Sequence, residues 1–208
     1  KVVALSLTAF GDNETAALLP SVCFSLALIA MVFGFCRRVY GTTRIAWLAV
    51  MVVATMPLYF ALSRTVIFDM ALACFVCGAV FAGFLAEESA GVARRNWYLL
   101  ASAAAGLATL VKGPVGVLIP LLVLLMFQSL AGRRGAWKRV FAPLNLLVFF
   151  GLTLPWFIGL CFAKRDFLHY GLVEESFRRF TDEHAFHRGR PFYYYLPIMA
   201  WTFFPWSM

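Results

Sequence analysis

Between Lys164 and Pro191 the sequence reads KRDFLHYGLVEESFRRFTDEHAFHRGRP, followed at once by FYYYLPIMAWTFFPW. Five carboxylates, six Lys or Arg and three His crowd into this one segment of a chain that is only 13% charged. A carboxylate can take a proton from a hydroxyl, and a guanidinium can grip a phosphate bidentately, so the segment is a candidate active-site surface. Leu172, Val173, Phe177 and Phe180 recur at helical spacing while Glu174, Glu175, Arg178 and Arg179 fill the other positions. That pattern predicts a short amphipathic helix lying in the membrane interface. Glu174 with Arg178 and Glu175 with Arg179 stand four apart in the favourable order, which stabilises a helix by only ~0.2–0.5 kcal/mol per pair. Helix-surface pairing and phosphate binding both stand as readings of these four side chains.

Three further groups could do chemistry. Asp69 opens the apolar run DMALACF, with Arg64 five residues before it. A carboxylate in a membrane segment costs ~2.5–3.5 kcal/mol at a helix centre, which makes it a functional candidate. An interfacial Asp paired with Arg64 at a helix N-terminus is the structural reading. Lys112, between GLATLV and GPVGVLIP, either snorkels to the interface or binds an anionic headgroup or phosphate. The Gly113-Pro114 that follows predicts a tight turn fixing where its ammonium points. His184 and His187, three apart beside Glu183, could with Glu14 hold a divalent metal, zinc or manganese, although solvated loop histidines are commoner.

The elements that position these groups are membrane helices. The chain is 62% hydrophobic, and its charged fraction is half the roughly 25% of soluble domains. Apolar stretches near 16–36, 45–62, 66–86, 97–111, 113–131, 140–162 and 191–208 predict an all-α, polytopic bundle of about seven crossings. Lys112-Gly113-Pro114 interrupts one long apolar run, so the two stretches around it are either two spans or a broken, re-entrant pair. Arg37, Arg38 and Arg44, then Arg94 and Arg95, then Arg133, Arg134, Lys138 and Arg139 follow the odd-numbered stretches. The positive-inside rule places those connections in the cytoplasm. The N-terminal KVVALSLTAFGDNE, the turn at Ser63-Arg64, Lys112 and the loop 163–190 then share the external side.

The net charge of +8 is spread between apolar runs rather than along one face, which excludes a nucleic-acid partner. The five Cys lie in or beside apolar runs and behave as small hydrophobes; Cys74-Phe-Val-Cys77 lacks the His or second pair a metal site needs. Cys36 beside Arg37-Arg38 offers a juxtamembrane palmitoylation position. The chain opens on Lys1 and breaks off at Pro205-Trp206-Ser207-Met208 within an apolar stretch. The expectation is a single transmembrane domain, 1–208, from a longer protein.

Several phrases carry a resemblance in matching order: FGDNETAALLPS, RTVIFDMAL, GLATLVKGPVGVLIP, PWFIGL, DFLHYGLVEESFRRF, HRGRPFYYYLP and FFPW. Together they resemble the membrane glycosyltransferases of the protein O-mannosyltransferase-like superfamily, most closely the bacterial branch that includes the aminoarabinose transferases of lipid A. The resemblance runs over nearly the whole chain. It implies the multi-span GT-C fold in the bacterial cytoplasmic membrane. It also implies transfer of a sugar from a polyprenyl-phosphate carrier to a lipid or protein acceptor at the external face. By the same resemblance Asp69 matches the second acidic position near the active cavity and Lys112 lies in the KGP turn. Glu175 and Arg179 fall in the E-x-x-x-R-F segment, where Arg179 partners the carrier phosphate, and Glu14 matches an acidic position associated with a metal. Glu174 stands where that branch carries a His, which puts zinc binding of the same kind in doubt. The family's principal catalytic carboxylate lies in a first external loop, upstream of Lys1.

Displacement at an anomeric carbon needs a carboxylate to take the acceptor's proton and cations to stabilise the departing phosphate. Asp69 and the carboxylate upstream of Lys1 offer the first; Lys112, Arg179 and either Arg64 or Arg178 offer the second. Neither a P-loop nor a Gly-rich fingerprint is present, so no nucleotide is implied. The alternative is a transporter or flippase for an anionic lipid-linked substrate, whose pathway would also need such residues. Internal symmetry between halves, which would favour it, is not visible.

Overall fold

The computed structural model describes residues 2–133, 135–163 and 192–207, and among these there are helices and turns but no strand. The helices are α1 (Val2–Phe10), α2 (Glu14–Tyr40), α3 (Thr43–Thr55), α4 (Pro57–Ser63), α5 (Asp69–Glu88), α6 (Gly91–Lys112), α7 (Val115–Leu130), α8 (Trp137–Val140) and α9 (Pro143–Ala163). A 3₁₀ turn at Phe192–Tyr194 leads into α10 (Tyr195–Thr202). The chain divides within α5 into two compact units, Lys1–Cys74 with Phe192–Met208, and Phe75–Pro191.

In the first unit α2 is the central rod. Its N-terminus is capped by Asn13, whose side chain accepts the Ala16 N–H at 2.7 Å, and Glu14 adds negative charge where the helix dipole favours it. Its C-terminus is closed by Gly41 at φ +70°, a left-handed position that glycine adopts without penalty, after Arg37 and Arg38 in the last turn. The 27 residues rise about 40 Å, enough to cross the hydrocarbon and reach both interfaces. α1 folds back on α2, and α3 and α4 pack along it.

The stretch expected as one span over 45–62 is two helices bent by 71°. Pro57 is the cause: it has no N–H to continue α3, and its ring pushes Met56 into extended backbone at φ −67°, ψ 126°. Pro57 also suits the first position of α4. Beyond the bend, the Trp206 indole N–H donates to the Thr55 hydroxyl at 2.9 Å.

The second unit is built on small residues. Ala101, Ala104, Ala105 and Ala108 of α6 are all buried, which lets α7 and α9 approach it closely. Ala79 of α5 joins this core, with Val117 and Phe149 packed against it. α5 meets α7 where Gly83 faces Leu124 and the Phe84 and Phe127 rings lie 5.2 Å apart.

Every apolar stretch read from the sequence has its helix, but not every helix is a crossing by length and composition. Among the described residues α2, α5 and α9 are long and apolar enough alone, and the bent α3–α4 pair passes only as a whole, as a broken span or a re-entrant loop. α6 carries Arg94 and Arg95 in its early turns, α7 is 16 residues long, and α10 has 8. The expected helix within 163–190 lies outside the described residues.

Candidate functional site

Three of the expected residues belong to one end of the first unit. Glu14 begins α2 and is exposed. Seven residues further along α2, about 10 Å by helical rise, the Ser21 hydroxyl donates to the Thr65 carbonyl at 2.8 Å. The Tyr59 hydroxyl donates to the Ser25 carbonyl at 2.6 Å. These two bonds hold the turn between α4 and α5 against the N-terminal part of α2, and that turn carries Arg64 and leads into Asp69. Arg64 is exposed, with its guanidinium carbon 4.6 Å from the centre of the Phe60 ring. Asp69 is partly buried at the first position of α5, where the dipole favours the carboxylate. At the same end the Ser6 hydroxyl donates to the Ala16 carbonyl at 2.6 Å, seating α1 beside Glu14.

Lys112 belongs to the second unit and ends α6, exposed. The turn after it is set by two glycines for different reasons. Gly113 sits at φ +72°, ψ −150°, a region essentially closed to other residues, and its N–H donates to the Thr109 carbonyl at 2.8 Å. Gly116 is demanded by contact: a Cβ there would lie 2.3 Å from the Ala108 carbonyl carbon. Lys112-Gly113-Pro114 therefore forms a tight corner between two antiparallel, closely packed helices. Glu175, Arg178, Arg179, His184 and His187 lie outside the described residues. Among the described residues no three His, Cys, Asp or Glu side chains cluster as a metal site.

A second charged constellation escaped the sequence reading. Glu87, at the end of α5, is fully buried at its side chain. It accepts a short hydrogen bond from the Tyr98 hydroxyl and another from the Gln128 amide at 3.1 Å. Arg133 reaches its carboxylate at 3.2 Å and its backbone carbonyl at 2.8 Å, and Arg139 pairs with it at 3.6 Å. Arg133 also pairs with Glu88 at 2.5 Å, and the hydrogen bonds it donates to both carboxylates push its pKa up, so it stays charged. The signal that could have found this group is Gln128, the chain's only glutamine, set in the apolar helix VGVLIPLLVLLMFQSL. A long polar side chain among such residues needs a buried partner.

The comparisons with known proteins agree with this architecture. Residues 2–158 match the dolichyl-phosphate-mannose-protein mannosyltransferase family. The chain belongs to that family. Among curated relatives, the undecaprenyl phosphate-alpha-4-amino-4-deoxy-L-arabinose arabinosyl transferase of Edwardsiella ictaluri is 28% identical over 200 residues, covering 95% of this chain and 36% of that protein. The arabinosyl transferase of the same description from Erwinia tasmaniensis is 29% identical over 199 residues, with 95% and 35% covered. In solved structures, ArnT from Cupriavidus metallidurans bound to undecaprenyl phosphate superposes with a TM-score of 0.91 at 26% identity, over 99% of this chain and 38% of that one. Its apo state gives 0.87. This member of the mannosyltransferase family thus has the expected all-helical membrane fold. It spans little more than a third of the length of the curated relatives it matches.

Proposed function

We propose that this chain is part of a glycosyltransferase that moves a sugar from a polyprenyl-phosphate carrier to a lipid or protein acceptor at the external face of the bacterial cytoplasmic membrane. The observation that carries the reading is the match of nearly the whole chain to ArnT bound to undecaprenyl phosphate. The family match over residues 2–158 and the arabinosyl transferase relatives point the same way. No nucleotide takes part, because the carrier phosphate is itself the leaving group.

In this reading the acceptor hydroxyl attacks the anomeric carbon, the carbon–oxygen bond to the carrier breaks, and the carrier phosphate departs with the electron pair. Asp69 is the carboxylate of this chain placed to take the acceptor's proton; at the mouth of α5 it is partly buried yet still within reach of solvent. Lys112, held at its corner by Gly113, neutralises phosphate charge, as do Arg64, Arg178 and Arg179. Glu175, four residues before Arg179 in the sequence, is proposed as a further substrate-binding residue. Glu14, His184 and His187 are proposed as the ligands of a zinc or manganese ion. Of these Glu14 alone is described, exposed and outside any ligand cluster, so no step of transfer is assigned to a metal.

The test is transfer from radiolabelled polyprenyl-phosphate sugars to a membrane extract by the full-length protein in nanodiscs, beside its Asp69→Asn and Arg179→Ala forms. Transfer that falls by about 10²–10⁴-fold in Asp69→Asn, the range of a lost general base, supports the reading. Full activity in both folded variants, or no transfer from any donor, overturns it.

A further inference from the structure

The joint between α3 and α4 is short of backbone bonds. Pro57 has no N–H to offer α3, whose last bond is a long one, from the Met56 N–H to the Val53 carbonyl at 3.3 Å. That joint is the fulcrum of the candidate site. α4 has seven residues and rises about 10 Å from the joint towards Arg64, so a tilt of about 6° displaces Arg64 by about 1 Å. The far part of α4 is tied to α2 through Tyr59, and the turn beyond it through Ser21 and Thr65. The near end is tied by Trp206, whose indole N–H donates to the Thr55 hydroxyl across 151 residues of sequence.

Both partners of that bond are themselves held. The Thr55 hydroxyl donates to the Met51 carbonyl at 2.7 Å, one turn back along α3, and so presents its lone pairs to the indole. Trp206 lies in a turn folded onto the end of α10. Its backbone N–H donates to the Phe203 carbonyl at 2.8 Å, the Phe204 N–H to the Trp201 carbonyl at 3.2 Å, and the Ser207 hydroxyl to the Ala200 carbonyl at 2.8 Å. α10 packs on α4 within the same compact unit. Trp206 is 51% exposed and Thr55 is exposed too, so neither side chain needs the other to be buried. An indole at a membrane surface can spend its N–H on water or headgroups. Here it is spent on the end of α3.

We infer that Trp206 and Thr55 are positioning residues, whose bond fixes the joint between α3 and α4 and thereby the turn that carries Arg64 and leads into Asp69. This role rests on the proposed transfer reaction, in which that turn supplies a cation for the phosphate and the base. The two residues act through α4 rather than on the reacting atoms. A misplacement of about 1 Å can cost about 10²-fold in rate, but a bond enforces a geometry only as far as its own strength. One hydrogen bond between membrane helices is worth about threefold to tenfold, and this smaller figure governs.

Two measurements on the full-length protein in nanodiscs test this, amide hydrogen exchange over residues 57–68 and sugar transfer from a radiolabelled polyprenyl-phosphate donor. Trp206→Phe keeps a ring and removes the N–H, whereas Thr55→Val keeps the shape and removes the hydroxyl. Each is expected to speed exchange over 57–68 by about threefold to tenfold, with residues 21–40 of α2 unmoved, and to lower kcat/KM for the donor by a like factor. Because both break one bond, the double variant should fall less than about twofold below either single one. Thr55→Ser, which keeps the hydroxyl, should match the wild type. Exchange over 57–68 unmoved by both single variants overturns the tie, whatever the activity. Faster exchange with unchanged transfer, or losses that multiply in the double variant, overturns the positioning role. No transfer by the wild type, or full activity of Asp69→Asn, overturns instead the proposed reaction and the catalytic role with it, while the exchange measurement still decides whether Trp206 holds the joint.

Discussion

Removing the Glu87 carboxylate is the sharpest test of how the second unit is held together. In Glu87→Ala the Tyr98 hydroxyl and the Gln128 amide lose their acceptor while still buried, and Arg133 and Arg139 lose one anion. Breaking a buried pair by deleting one partner costs about 3–5 kcal/mol. The two arginines soften that loss, because their side chains are 29% and 38% exposed and Arg133 keeps Glu88. What stays uncompensated is mainly Tyr98 and Gln128, at about 1–3 kcal/mol for each orphaned group, so the lower figure of about 3 kcal/mol is expected. For a chain of this size that lowers Tm by about 6–12 °C. Tryptophan-monitored thermal unfolding in detergent reads the shift, and Tyr98→Phe supplies the second arm of a double-mutant cycle. Because both substitutions break the same bond, their combination should cost at least about 1 kcal/mol less than the sum. A shift under about 2 °C for Glu87→Ala, or strict additivity with Tyr98→Phe, refutes the buried latch.

The corner after Lys112 makes a second prediction. Gly113→Ala places a side chain in a backbone region open only to glycine and should cost about 1–3 kcal/mol, whereas Gly116→Leu overlaps α6 at Ala108 and should prevent α6 and α7 from pairing; unfolding midpoints and size-exclusion profiles in detergent check both. Tyr59→Phe and Ser21→Ala each remove one bond holding the turn between α4 and α5, and each should cost about 1 kcal/mol by the same unfolding assay. In the proposed reaction Asp69→Asn should lower kcat with carrier affinity unchanged, and Lys112→Gln should weaken the carrier and be rescued by Lys112→Arg; steady-state kinetics with a labelled donor separates the two.

The fold was legible in the sequence where one physical force decides. In lipid the backbone must satisfy its own hydrogen bonds, so an apolar stretch of sufficient length is a helix, and each expected stretch has one. Where two forces compete, the pattern records only one of them. The run over 45–62 is apolar throughout, yet Pro57 costs α3 its next hydrogen bond and bends the stretch into two helices. The N-terminal segment that the charge pattern places outside is a helix, α1, packed against α2, a tertiary contact that local hydropathy does not record. The break at Gly113-Pro114 fits two spans or a broken, re-entrant pair. Gly116 against Ala108 makes it a tight corner between closely packed helices, a contact that hydropathy does not record.

Charged side chains among the described residues differ in how well sequence alone could find them, and the difference is one of solvent. Asp69 and Lys112 stand out because each is a charge set into an apolar stretch, and each occupies a helix end where it keeps access to water. Such a residue is singled out by its apolar neighbours in sequence. Glu87 looks like half of an ordinary Glu-Glu helix terminus, yet its side chain is buried and its partners come from positions 98, 128, 133 and 139. A buried charge must find its compensation at a distance, because desolvation would otherwise hold it at the surface. A charge at a helix end that keeps access to water can therefore be read from hydropathy. A buried charge that fixes the frame is instead marked in sequence by its neutral partner, here the glutamine that an apolar helix would not carry without a reason.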